Sequence, residues 1–160
     1  MNPLQRAPFV VAFFLAALAG SGCAPRHFSI VTPPGFVEFE DRYPDQEYRA
    51  ATADGVVIGA RSFDNEPKGE LTFWVRAVQN RLRDMGGYAL LETKPVTDRG
   101  GLPGQLMRFG HDEGAQPHLY LVAVFVSDDR VFVVEAGGPK DLVERQHAQI
   151  DWAIHAFLHK

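Results

Sequence analysis

The stretch Leu119 to Val126, LYLVAVFV, carries apolar or aromatic side chains at odd and even positions alike. Successive side chains of a strand point to opposite faces, so a strand of this composition must be covered on both sides. The run is short for a buried helix and ordinary for a strand. The chain must therefore build a sheet in which this strand is interior, with a layer packed on each face. A chain of 160 residues has room for one such core and not for two.

Two helices are available as the covering layers. In the first, Leu71, Trp74, Val75, Val78, Leu82 and Met85 recur at spacings of three and four, with Arg76, Gln79, Asn80, Arg83 and Asp84 opposite. Pro67 and Gly69 precede it, and Gly86-Gly87 ends it where a positive φ is needed. The second is expected from Pro139 to about His159, with Val143, Ile150, Ile154, Phe157 and Leu158 on one arc and Pro139 in the first turn. Trp74 lies in the core stripe of its helix. Trp152 lies about 180° from Val143 on an ideal helix. It either faces outward, as an anchor for a partner or for lipid headgroups, or is covered by the N-terminal segment around Phe28 and Ile30.

Strands account for the rest. Phe36 to Glu40 alternates apolar and acidic residues, and Tyr48 to Thr52 pairs with Val56 to Phe63 across an Asp54-Gly55 turn. Tyr88 to Thr97, Gln105 to His111, Leu119 to Val126 and Val131 to Ala136 follow, separated by Gly100-Gly101, Gly114 and Asp128-Asp129. Such short connections imply antiparallel neighbours. The expected class is α+β, an antiparallel sheet sandwiched between two helix layers, in the order β-β-β-β-α-β-β-β-β-α. That order, the entry at Gly35-Phe36, the mid-chain amphipathic helix and the C-terminal helix resemble the PsbP-like fold, which includes DcrB-like bacterial lipoproteins, over roughly Phe36 to Lys160. The resemblance implies accessory and protein-binding roles and carries no catalytic motif.

Ahead of this domain, Pro8 to Ala19 reads PFVVAFFLAALA, preceded by Arg6 and followed by Gly20, Ser21 and Gly22. This is the layout of a signal peptide, and it falls short of the about 20 apolar residues that a spanning helix needs. The chain's single cysteine, Cys23, closes the segment, so no internal disulfide or redox pair is available. LAGSGC, Leu18 to Cys23, resembles a bacterial lipobox, with Gly20 at the position three before the cysteine where the family pattern has an aliphatic residue. The resemblance implies cleavage before Cys23 and lipidation of its thiol, and Ala24, in place of the retention signal Asp, implies an outer-membrane destination. The alternative is an ordinary secretory peptide cleaved after Ala17-Leu18-Ala19, leaving Cys23 as a thiol near a free N-terminus. The partition is 1–22 signal peptide, 23–35 lipidated N-terminus and tether, and 36–160 a single domain.

Without residues 1–22 the chain holds 15 Lys and Arg against 20 Asp and Glu, a formal charge of −5. A nucleic-acid binder needs a basic footprint, so that class is disfavoured. After Cys23 the only serines are Ser29, Ser62 and Ser127, none in a nucleophile elbow. DRGGLPG, Asp98 to Gly104, lacks the spacing of a phosphate loop and reads as a hairpin turn. No cofactor is implied.

Three polar groupings remain. His147, Asp151, His155 and His159 are spaced by four, which would line up ligands for a divalent metal. Each step of four drifts by about 40° on a helix, however, and one straight helix cannot close a tetrahedral site. His111, Asp112, Glu113 and His118 surround the turn GHDEGAQPH, where a hairpin would bring both histidines side by side, although turns commonly collect such residues. The acidic run Glu38, Glu40, Asp41, Asp45 and Glu47 lacks the spacing of a calcium loop and reads as a solvated face. The expectation is a non-enzymatic, membrane-anchored envelope lipoprotein with a protein partner, and second a periplasmic binder of a small ligand or metal.

Overall fold

The computed structural model describes residues 26–40 and 46–160. The signal segment, Cys23, Asp41 and Asp45 lie outside them. The strands are β1 (Phe28–Ser29), β2 (Val37–Glu38), β3 (Tyr48–Ala51), β4 (Val57–Asp64), β5 (Ala89–Thr97), β6 (Pro103–Glu113), β7 (Gln116–Val126), β8 (Arg130–Pro139) and β9 (Leu158–His159). The helices are α1 (Leu71–Gly86), α2 (Lys140–Arg145) and α3 (His147–Ala156). Seven strands form one antiparallel sheet in the order β2-β3-β4-β8-β7-β6-β5, and β1 pairs with β9 apart from it. The alternation of strands and helices expected from the sequence is therefore present.

The two-faced run in β7 is interior. Leu119, Leu121, Ala123 and Phe125 enter one core cluster, with Val143 of α2, Ile150, Ala153 and Ile154 of α3, and Phe157 just beyond α3. Val122 and Val124 enter the other with Met107, Phe109, Val131 and Val133, against which Trp74, Val75, Val78 and Leu82 of α1 pack. Gly87 closes α1 at φ 66°, and its N–H and that of Tyr88 cap the last turn. At the other end of α1, Asn65 replaces a side-chain cap: its Oδ1 accepts from Gly69 N at 2.9 Å and Trp74 Nε1 at 2.7 Å, and its amide donates to Ser127 O.

The C-terminal region departs from expectation in three ways. The helix breaks at Gln146 into α2 and α3. Pro139 is the last residue of β8, at ψ 136°, and precedes the first helical turn. Finally, α3 stops at Ala156, and His159 belongs to β9. The reason is burial. Phe157 turns to φ −59°, ψ 139° and places its ring, wholly buried, against Phe28, Phe125 and Phe132 at centroid distances of 5.2, 5.4 and 5.8 Å. An aromatic side chain buried among three others is worth more than one further turn of helix. The backbone then runs extended, and Lys160 N donates to His27 O at 2.8 Å. The segment read as a tether is thus folded from Phe28 onward, with Phe28 buried in the core.

Candidate functional site

The face that α1 covers is covered only in part. α1 makes its main contacts with β5, β6 and β7, so the same face of β2, β3 and the start of β4 lies beyond it. Cross-strand register fixes what this open part presents. One row runs Val37, Ala51, Val57, Gly137, Tyr120, Phe109. The next runs Arg49, Gly59, Glu135, Val122, Met107, with Phe39 N bonded to Arg49 O at the rim.

Glu135 is the anomaly in these rows. It shares a face with Val131 and Val133 and is only 7% exposed, and a buried carboxylate is tolerated only when paired and hydrogen-bonded. Both requirements are met. Arg61 Nη1 lies 3.1 and 3.2 Å from its two oxygens, Gln46 Nε2 donates to Oε1 at 2.6 Å, and Tyr120 Oη donates to Oε2 at 2.6 Å. Two glycines make these approaches possible. A Cβ on Gly59 would stand 2.6 Å from Gln46 Nε2, and one on Gly137 would stand 2.8 Å from the Tyr120 ring. Each glycine leaves the space in which a neighbour's polar end reaches the carboxylate. Burial first, and then the charge of Glu135 and its bond to the phenol, push the Tyr120 hydroxyl well above the ordinary range. It therefore remains a donor across physiological pH.

Around this network lies a cleft of about 230 Å³ lined by Gln46, Val57, Tyr88, His118, Tyr120 and Glu135 and floored by the glycines of β4 and β8. Tyr88 packs on Tyr120 at 5.5 Å and on His111 at 4.7 Å between ring centres. Gln46 Oε1 is buried with no donor among the described residues. Among the described residues, the larger hollows beside Asn65, Pro139 and Arg49 hold no comparable buried ionisable group.

The residues singled out in the sequence fall in different places. His111 and His118 are brought together, as Cα partners across β6 and β7: His118 lines the cleft and His111 buttresses Tyr88. Asp112 is exposed. His147 is exposed at the start of α3. His155 Nδ1 contacts Asp151 O at 2.8 Å, and Lys94 Nζ lies 3.8 Å from Asp151. Among the described residues no three His, Cys, Asp or Glu side chains are grouped to hold a metal ion. His159 instead binds Asp98, its Nδ1 lying 2.6 Å from Oδ2. Trp152 is 45% exposed. In the acidic run, Glu47 accepts from Ser62 N and Oγ at 2.6 and 2.7 Å, and Glu38 pairs with Arg26. Glu135 itself was missed, although VFVVEAGG carries the signal: a charge at the inward parity of an apolar strand, followed by two glycines.

The fold is similar to several solved structures. LpqN of Mycobacterium tuberculosis, described as involved in cell envelope biogenesis, matches with a TM-score of 0.66 at 9% identity over 87% of each chain. Cyanobacterial PsbP of Synechocystis matches at 0.58 and 11% identity, over 91% of this chain and 99% of that one. The Ran-binding protein Mog1p of Saccharomyces cerevisiae matches at 0.54 and 15% identity, over 82% and 89%. No protein-family model matches the sequence, and no curated protein does. At these identities the likeness is one of architecture: the chain has the PsbP-like α+β fold.

Proposed function

We propose that the chain is a lipid-anchored protein of the bacterial cell envelope, held at the outer membrane through Cys23, whose domain acts without catalysis by binding a protein partner at the Glu135 cleft. The cleft carries this reading. At about 230 Å³ it is below the roughly 300–1,000 Å³ of drug-sized ligand sites, and it suits one inserted side chain of a larger surface. Its tyrosine walls belong to the residue types that interface cores favour. Catalysis is disfavoured because both oxygens of Glu135 are occupied by Arg61, Gln46 and Tyr120, which leaves no lone pair poised as a general base. An envelope role draws support from LpqN, which is involved in cell envelope biogenesis, and protein binding from the Ran-binding Mog1p, both by likeness of fold alone.

The test is photo-crosslinking in intact envelopes from His118→p-benzoylphenylalanine and, as a control, from the same residue at Leu91 on the far edge of the sheet. A discrete protein adduct from the cleft position that the control does not give is the expected result. No adduct, together with a small molecule or metal retained in native mass spectrometry, would overturn it in favour of a periplasmic binder. That second reading rests on the buried, undonated Gln46 Oε1 and the side-by-side histidines.

A further inference from the structure

Arg26, the first residue described, stands three steps along the chain from Cys23. An extended chain spans at most about 3.6 Å per residue, so Arg26 stays within about 11 Å of the cysteine. Arg26 is in turn fixed to the domain. Its Nη2 donates to Glu38 Oε1 at 3.2 Å, and its guanidinium lies 6.0 Å from the centre of the Tyr48 ring. Glu38 belongs to the edge strand β2, and its chain neighbours Val37 and Phe39 project from the opposite face of that strand. These two are 70% and 44% exposed, and Val31, just before them, is 47% exposed. Large apolar side chains left open beside an anchoring point call for a covering surface. We propose that, when Cys23 carries lipid, the rim formed by Val31, Val37 and Phe39 rests in the interfacial layer of the bilayer, with β2 facing the membrane.

The inference rests on the lipid-anchored reading above and adds an orientation to it. Arg49 lies 6.0 Å from the Phe39 ring, and an arginine beside an aromatic ring at this depth keeps its head among the phosphates while its stem and the ring are buried. Charge decides the kind of lipid contact. Glu38, Glu40 and Glu47 line one hollow with Phe39 against Arg26 and Arg49, so an anionic surface gives no attraction. Contact is then made by apolar insertion. It is indifferent to salt and does not depend on anionic headgroups.

If Cys23 is lipidated its thiol is consumed, so a cysteine introduced elsewhere is the sole free thiol for labelling. The experiment uses the full chain, purified from membranes and reconstituted in phosphatidylcholine vesicles, with an environment-sensitive fluorophore at Val37→Cys. The control carries it at Leu91→Cys, which is equally apolar, 58% exposed, and on β5, six strand spacings or about 29 Å away. Emission from position 37 should shift to the blue, be lost with doxyl-labelled lipid and resist aqueous iodide at low and high salt alike. Position 91 should behave oppositely. Equal iodide quenching at both positions on vesicle-bound protein overturns the rim contact and leaves the anchor intact. Shielding from iodide without loss to doxyl lipid also overturns it, and assigns the rim to contact with a second copy of the chain. A chain that does not sediment with vesicles overturns the anchored reading, and the rim contact with it.

Discussion

Asp98 gathers four nitrogen contacts on one carboxylate. Oδ1 accepts from Gly100 N and Leu102 N, both at 2.8 Å, and Oδ2 from His159 N at 3.0 Å and the His159 ring at 2.6 Å. The side chain has no exposure to solvent. Burial pushes its carboxyl upward, but the His159 side chain and the His159 and Leu102 amides outweigh that, and the group is held below its ordinary 3.8. Because the folded value is depressed, the stabilisation is complete above the ordinary value and is lost as pH falls through the folded one. Urea unfolding from neutral pH down to about pH 2 should show the native chain losing stability below about pH 4, and Asp98→Asn losing less over the same range. Asp98→Ala strands the Gly100, Leu102 and His159 amides, which should cost about 3 kcal/mol and lower Tm by roughly 6–12 °C in a scanning calorimeter. At the other polar centre, Tyr120→Phe removes one donor from Glu135 and should cost about 1–2 kcal/mol by the same measurement. The sequence marks Asp98 only as the start of a turn. Its bond to His159, 61 residues away, has no local pattern to announce it, whereas Glu135 is visible as a charge out of place among valines.

At the scale of elements, periodicity carries most of the fold. The α1 stripe, the Gly87 cap and the two-faced run in β7 are each properties of a single segment, so each can be read from its own residues. The end of α3 is a different kind of fact, because it depends on Phe28, Phe125 and Phe132 converging on Phe157. A helical arc that includes Phe157 and Leu158 looks continuous until the core that claims the phenylalanine is known. Phe157→Ala should therefore cost about 3–5 kcal/mol, as truncation of a buried aromatic does, and chemical denaturation would measure it. Hydrogen exchange would then separate two outcomes. If Phe157 also pins the β1–β9 pair, the Lys160 amide, bonded to His27 O, loses protection ahead of the global transition. If it only fills the core, protection is lost with the whole domain.

For the molecule as a whole, the sheet with its two helical layers answers the demand made by LYLVAVFV, but the layers differ in reach. α2 and α3 pack on one face together with Phe28 and Phe36, whereas α1 leaves β2 and β3 open on the other. Sequence alone could not show this inequality, since it depends on which strands α1 packs against and not on its length or composition. The open part carries the Glu135 cleft, and β2 at its rim is tied through Arg26 to the end of the chain that leads to Cys23. Anchoring and recognition are thereby placed on one side of the domain in the proposed reading. Cys23→Ala should release the protein from membranes into the soluble fraction, and Glu135→Gln in the anchored chain should weaken the cleft crosslink without changing fractionation.

The claim on which the rest depends is the fate of Cys23. Mass spectrometry of the N-terminal peptide of the full chain, purified from membranes of a bacterium that makes it, measures this directly. The expected peptide begins at Cys23, without Met1 to Gly22, and is heavier by a thioether-linked diacylglycerol and an N-acyl chain. A peptide beginning at Gly20 with an unmodified Cys23 thiol, or one still carrying the apolar segment, would contradict it.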